Sequence, residues 1–455
     1  MSARESQVDV VVVGLGPGGE YAAQKLAEAG LDVVGVERGL VGGECPFYGC
    51  IPSKIIIRAA NTLAEARRAE TLGGQVDVRP DWRLVADRID RQATNHWDDA
   101  SHAERLAAAG VRIVRGDGRL DGPGVVVVGE ERFVARRGVV LNAGTSPATL
   151  PVDGLAGTPY WTNREIVKVS DLPASLAVIG GGPIGAELAQ AFARFGTRVT
   201  VLEVADRILG PEEPEASALV TEVFEREGID VRTGVQIERV SHDGGFRAHL
   251  GDGSTVESEQ LLVAAGRRTN LAGLGLETVG LDPEARAVDT DERMRAGERL
   301  WAIGDITGKG PFTHVSMYQG AVAVRDLLGE DGPWADYRAV SHVTFTDPEV
   351  GSVGMTERAA RDAGIEVGIG TADLPESSRG WIHQAGNDGL IKLVADSERG
   401  VLVGGTTVGP SGGEVLGLVA GAVHAQVPVA TLRTMHFAYP TFHRALEVAL
   451  DQIEA

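Results

Sequence analysis

The sequence predicts an α/β protein: two domains built on strand–helix–strand units, followed by a smaller α+β domain. Three observations lead there. The chain has 455 residues, and at roughly 150 residues per domain that length suggests about three cores. Its 43% hydrophobic and 24% charged residues exclude a disordered tail, a collagen-like fibre or a small disulfide knot. Most telling is an internal repeat with fixed spacing.

The first copy opens with the apolar run Val8 to Val13, turns through GLGPGG (Gly14, Gly16, Gly19), continues as a helix-like stretch to Gly30, and returns as LDVVGVE ending at Glu37. The second runs from Leu176 to Ile179 into GGGPIG (Gly180, Gly182, Gly185), on to Gly196, and back as TRVTVLE ending at Glu203. In both, the first glycine stands 16 positions before the helix-ending glycine and 23 before the acid. Each residue has a task. The first glycine makes a tight turn, the second lets backbone approach a pyrophosphate, and the third lets helix and strand pack closely. The helix N-terminus offers free N–H groups to phosphate, and the acid accepts ribose hydroxyls. One such motif is weak, but two in matched context predict two Rossmann-like dinucleotide-binding domains, hence two dinucleotides, a flavin and a nicotinamide exchanging hydride.

Eight residues past Glu37 comes the only cysteine pair, Cys45 and Cys50, within GGECPFYGCIPSK, Gly42 to Lys54. A redox pair placed directly after the first site serves whichever cofactor lies there, so the first site is expected to hold FAD and the second NAD, with NADP less favoured. On a regular helix, residues five apart have Cα atoms about 8 to 9 Å apart, beyond the roughly 7 Å limit for a disulfide. The segment must therefore be distorted if the two are to bond, and Pro46 and Gly49 permit that. Pro52 fits the first turn of a following helix, which would set Cys50 near a dipole that favours its thiolate. The competing readings are a zinc half-site and two structural thiols. Zinc needs two further Cys or His ligands, and the segment holds none; no metal is expected.

Lys and Arg (43) against Asp and Glu (64) leave a net charge of −21, which repels phosphate backbones and argues against nucleic acid as a partner. No apolar run approaches the roughly 20 residues of a membrane span. The opening MSARESQVDVVVVG reads as a first strand rather than a secretory leader, so no membrane association and a cytoplasmic location are expected. Two close cysteines fit a reducing compartment.

The order of these features resembles the class I pyridine nucleotide-disulfide oxidoreductases, which include dihydrolipoamide dehydrogenase, glutathione reductase and mercuric reductase. Further matches are LNAGTSP (Leu141 to Pro147), AAGRRTN (Ala264 to Asn270), LWAIGD ending at Asp305, THVSMYQG from Thr313, and VTFTDPEVGSVG from Val343. The resemblance implies that Cys50 is the thiol lying against the flavin and Cys45 the one exchanging with substrate. Lys54 would approach the flavin N5 region, paired with Glu187. Asp305 would hold the ribityl chain, Thr313 would lie near the ring system and Gly118 near the adenine half, with Gly43, Gly144, Val235 and Gly266 as further cofactor positions. It also implies an FAD domain over 1–150 that resumes at 271–337, a nicotinamide domain over 151–270, and an interface domain over 338–455 pairing two subunits. Glu414 to Ala425 has the spacing of a buried amphipathic helix. A homodimer with an active site shared between subunits follows.

Three departures from the family pattern bear on function. Where relatives end with HPTxSE, this chain has Tyr439, Pro440, Thr441, Phe442, His443 and Arg444, so the usual histidine base and its orienting glutamate are both absent. A phenol of pKa about 10 is a poor substitute. His443, four residues after Tyr439, shares a face with it if the segment is helical; His436 is another proton carrier, and a solvated or capping histidine is the plain alternative. Mercury reduction through a second cysteine pair is disfavoured, since no cysteine follows Cys50. Pro183 replaces an aromatic that in several relatives covers the flavin. Phe47 and Tyr48 put bulk between the cysteines, either narrowing the approach or packing inward. For the nicotinamide, Glu203 favours NADH over NADPH; relatives preferring NADPH carry arginines where this chain has Val204 and Gly210, although Arg207 lies close.

The leading expectation is a flavin- and NAD(P)H-dependent oxidoreductase acting on a small disulfide or dithiol. The alternative is a diaphorase-type enzyme passing electrons to a quinone with the disulfide not obligatory, and a flavin-bearing structural subunit is a third, disfavoured by the intact electron path.

Overall fold

A computed structural model describes residues 4–454. The chain divides into two compact units. One takes the residues up to Pro52 with Arg88–Ala148 and Arg267–Asp336; the other takes Ser53–Asp87, Thr149–Gly266 and the chain from Tyr337 onward.

In the first unit, strand β1 (Arg4–Val13), helix α1 (Pro17–Glu28) and strand β2 (Val33–Glu37) form the first strand–helix–strand unit. β1 lies between β2 and the strand Glu131–Leu141, parallel to both, with Val12 facing Gly35 on one side and Val140 on the other. That position explains an unbroken valine run: a central parallel strand is covered on both faces, and Val10, Val11 and Val12 are fully buried. The strand starts four residues before the apolar run, because Arg4 to Gln7 also pair with Glu131 to Val134. The sheet has eight strands, extended by Val111–Arg115 at one edge and by Leu300–Ala302 and Arg295–Gly297 at the other. The helix Thr313–Leu328 lies on α1, a close approach allowed because a side chain at Gly18 would meet Ser316 at 2.2 Å.

After β2 the chain makes the short helix α2 (Glu44–Phe47), breaks at Tyr48 and Gly49, and starts the long helix α3 (Cys50–Leu72). The distortion expected between the cysteines is this break.

The second unit contains the second copy: strand Ser175–Ile179, helix Pro183–Arg194 and strand Arg198–Leu202, in a four-stranded parallel sheet flanked by Asp230–Arg232 and Gln260–Val263. It also contains a five-stranded antiparallel sheet over residues 341–409. Helix Gly412–His424 covers that sheet with Val415, Leu416, Val419, Ala422 and Val423, the buried face expected for Glu414 to Ala425.

Candidate active site

The two glycine turns are built alike. Gly14 (φ +94°) and Gly180 (φ +105°) occupy backbone that favours glycine, and a side chain there would meet the carbonyl of Asn142 at 2.2 Å or of Ala264 at 2.6 Å. A side chain at Gly19 would lie 1.9 Å from the Gly14 carbonyl, and one at Gly185 is 1.9 Å from the Gly180 carbonyl. Gly16 and Gly182 precede their helices with φ, ψ of −72°, −178° and −71°, −177°, and neither helix has a side-chain cap. The first-turn amides are thus left for an anion. The acids are held the same way. Glu37 accepts the Leu15 and Gly39 amides, both at 2.7 Å; Glu203 accepts those of Gly181 at 2.7 Å and Ala205 at 2.8 Å. Both cradles fit a dinucleotide.

Only the first is joined to sulfur. The Gly42 amide donates to the Leu15 carbonyl at 2.7 Å, and a side chain at Gly43 (φ +69°) would lie 2.9 Å from the Gly16 Cα. The loop leading to Cys45 is therefore folded directly onto the glycine turn of the first site. Cys45 is half-buried and Cys50 exposed, and among the described residues no disulfide joins them. Cys50 opens α3, and its Sγ lies 3.4 Å from the Thr313 hydroxyl at the start of the helix Thr313–Leu328. A hydrogen bond with Cys50, burial and the charge of Cys50 all push the Cys45 thiol far above the ordinary thiol range. The Cys45 thiol therefore resists losing its proton, and Cys50 stands at a helix N-terminus, a setting that favours thiolates.

Around the first site, Asp305 accepts the Thr145 hydroxyl at 2.6 Å, Arg267 donates to the same hydroxyl at 2.7 Å, and the Arg267 guanidinium stands 3.3 Å from Glu44. Gly144 (φ +65°) borders open space, and Gly118 sits against Val13 and Val36 at the ends of β1 and β2. Asn142, which lies inside the LNAGTSP motif but was not singled out there, donates to the Gly14 carbonyl at 3.2 Å and braces the turn.

In the second unit, Lys54 donates to Glu187 at 2.6 Å, while the other oxygen of this buried carboxylate accepts the Phe345 amide at 2.8 Å. The Lys54 ammonium also stands 4.6 Å from the Phe345 ring centroid. Phe345 was not anticipated; it lies 158 residues from Glu187 and only tertiary packing joins them. The Val235 amide donates to the Glu203 carbonyl at 3.1 Å, and Gly266 (φ +112°) borders open space. Pro183 is the first helical residue of its helix, where its missing N–H is not needed. Phe47 is 2% exposed, so it packs inward.

The C-terminal expectation needs correction. Tyr439 and His443 do not share a helical face: residues 439–441 are not helical, and a short 3-10 turn begins only at Phe442. Pro440 is the cause, because a residue before proline is driven out of the helical region. Tyr439 is 68% exposed, with the Arg444 guanidinium 5.6 Å from its ring centroid. His443 is half-buried, 3.5 Å from the Thr441 hydroxyl and beside the Phe437 ring, while His436 is exposed.

Among the described residues no cluster of three or more His, Cys, Asp or Glu is arranged to hold a metal, and no helix is long and apolar enough to cross a membrane.

Comparison with known proteins agrees with this geometry. Residues 8–320 match the family described as pyridine nucleotide-disulphide oxidoreductase, and residues 340–450 match its dimerisation domain. The chain is 31% identical to dihydrolipoyl dehydrogenase of Chlorobaculum tepidum, covering 99% of this chain and 98% of that one. It is 34% identical to mercuric reductase of Acidithiobacillus ferrooxidans, over 97% of this chain and 82% of the other. The HOCl-induced flavoprotein disulfide reductase RclA from Escherichia coli, solved as a Cu(II) complex, matches with a TM-score of 0.85 at 25% identity, over 98% and 99% of the two chains.

Proposed function

The chain belongs to the pyridine nucleotide-disulphide oxidoreductase family, and from that membership we propose that it oxidises NADH and passes the electron pair through Cys50 and Cys45 to a small disulfide. That it is an FAD-containing, nicotinamide-dependent oxidoreductase follows from the family and its relatives. The observation carrying the finer reading is the fold of the Gly42–Cys45 loop onto the first glycine turn, with Cys50 opening α3 beside Thr313. Bound FAD supplies a two-electron carrier between nicotinamide and thiol.

The chain's own groups set the order of proton and sulfur events. Cys50 carries charge, and Cys45 keeps a proton until substrate arrives. To attack a substrate disulfide, Cys45 must lose that proton, and its burial beside Cys50 resists the loss. Tyr439, His443 or His436 of the partner subunit takes the role of base in this reading, within a homodimer joined through the dimerisation domain. The missing histidine favours the second reading, in which a quinone accepts electrons without any thiol losing a proton. Cytoplasmic residence fits a dithiol that must cycle between free thiols and a disulfide.

Anaerobic titration tests the thiol path. Two-electron reduction by NADH should produce a long-wavelength absorption band from the Cys50 thiolate lying against the flavin; full flavin bleaching with no such band would refute it.

NADH is preferred on electrostatic grounds. The Glu203 carboxylate accepts ribose hydroxyls and repels a 2′-phosphate. Two arginines lie close: Arg207 is turned back, donating to the Gly210 carbonyl at 2.8 Å and standing 3.4 Å from Asp206, and Arg232 on the neighbouring strand is held by Asp230 at 2.9 Å. We expect kcat/KM for NADPH to be at least about tenfold lower than for NADH, equivalent to roughly 1.4 kcal/mol, and Glu203→Ala to narrow the gap. Equal efficiency with both nucleotides would contradict this.

A further inference from the structure

The stretch just ahead of the helix Ala100–Ala108 is strained. Asn95 (φ 46°), His96 (φ 60°) and Trp97 (φ 56°) form three consecutive left-handed residues, none of them glycine, after a π-helical turn over Arg88–Ala93. Side chains disfavour this backbone, and such strain persists only where surrounding bonds over-determine it. Here they do. The His96 amide donates to the Asp90 carbonyl at 2.6 Å, the Trp97 amide to the Thr94 hydroxyl at 3.3 Å, and that buried hydroxyl donates in turn to the Ile89 carbonyl at 3.0 Å.

The strained turn presents an indole to the sulfur loop. Trp97 Nε1 donates to the Phe47 carbonyl at 3.2 Å, and Phe47 ends α2 between the two cysteines. A carbonyl at the end of a four-residue helix has no partner within that helix, so the indole satisfies a group that would otherwise be orphaned. Two neighbours grip the same loop. Asp99 accepts the Val41 amide at 2.5 Å and is held by Arg115 at 2.7 and 2.9 Å. His102 packs against the Phe47 ring, centroids 5.6 Å apart, and blocks the space beside Gly42.

We propose that Trp97 is a positioning residue for the redox pair: its indole N–H fixes the chain between Cys45 and Cys50 in the geometry of the reduced dithiol and so biases the thiol–disulfide equilibrium toward the reduced form. The inference rests on the disulfide reading above and goes beyond it by assigning control of the couple to a residue that touches neither sulfur.

The test is equilibration of the full-length, FAD-loaded protein in glutathione buffers of stepped ratio, with thiols trapped and counted. Two glutathione thiols reduce the Cys45–Cys50 bond, giving two protein thiols and one glutathione disulfide. Trp97→Phe keeps the ring and removes the donor. It should retain flavin and lower the dithiol-to-disulfide ratio by about fivefold, the scale of one net hydrogen bond. A ratio within about twofold of the parent, or a higher one, overturns the proposal, as does a lower melting temperature with an unchanged ratio. If Trp97→Phe fails to fold with flavin, Thr94→Val decides: it removes the hydroxyl that accepts the Trp97 amide and so loosens the turn that aims the indole, a shift in the same downward direction is expected, and no shift overturns the proposal. A parent whose thiols never oxidise in these buffers defeats the disulfide reading itself and the proposal with it; a parent that titrates normally beside an unshifted variant defeats only the role of Trp97.

Discussion

Replacing Cys45 by serine should lower NADH-dependent turnover of a disulfide by at least roughly 10³-fold, the scale on which loss of a covalent nucleophile acts. A hydroxyl cannot form the mixed disulfide, and beyond Cys50 the chain has no further cysteine to replace it. Cys50 remains at the head of α3 beside Thr313, so hydride uptake from NADH survives. NADH-dependent quinone reduction should stay within about twofold of the parent if the diaphorase route operates. The two steady-state assays, run on one preparation, separate the readings: equal loss of both activities counts against the quinone route, and an undiminished disulfide activity counts against Cys45 as the exchanging thiol.

The second large effect concerns stability. The Lys392 side chain is 4% exposed and its ammonium meets three carboxylates, Glu213 at 3.0 Å and Glu215 and Glu357 at 2.8 Å. Burial works against the charge, yet the three acids outweigh it and hold the lysine above its ordinary value of 10.5. A raised folded value means that this contribution is complete below pH 10.5 and is lost as pH climbs through the folded value, so it is constant across neutral pH. Lys392→Met leaves the buried Glu213 without its cation, a loss of about 3–5 kcal/mol that lowers the melting temperature by roughly 10 °C. Because the contribution is constant across neutral pH, the deficit should be the same at pH 6 and pH 8. Calorimetry at both values checks this; a variant melting within about 2 °C of the parent would refute it.

Legibility in the sequence followed distance along the chain. Both glycine turns, their acids and the break between Cys45 and Cys50 are local, and each is demanded by backbone geometry within a few residues. The pairing of Lys54 with Glu187 spans 133 residues and was accessible only through family resemblance. Phe345 and Trp97 were invisible because an amide and an indole gain their roles only from what folding brings opposite them. Tyr439 and His443 would share a face only if their segment were helical, and Pro440 between them already argues against that condition in the sequence.

The paired cradles are nearly superimposable in backbone angles, so the difference between them lies in what the chain does next. Past Glu37 it delivers two sulfurs. Past Glu203 it delivers Glu212, Glu213 and Glu215, which grip His342, Ser352 and Lys392. One duplicate leads into a pair of thiols and the other into a carboxylate cluster that ties down distant strands, a division carried entirely by the segments that follow two otherwise interchangeable parts.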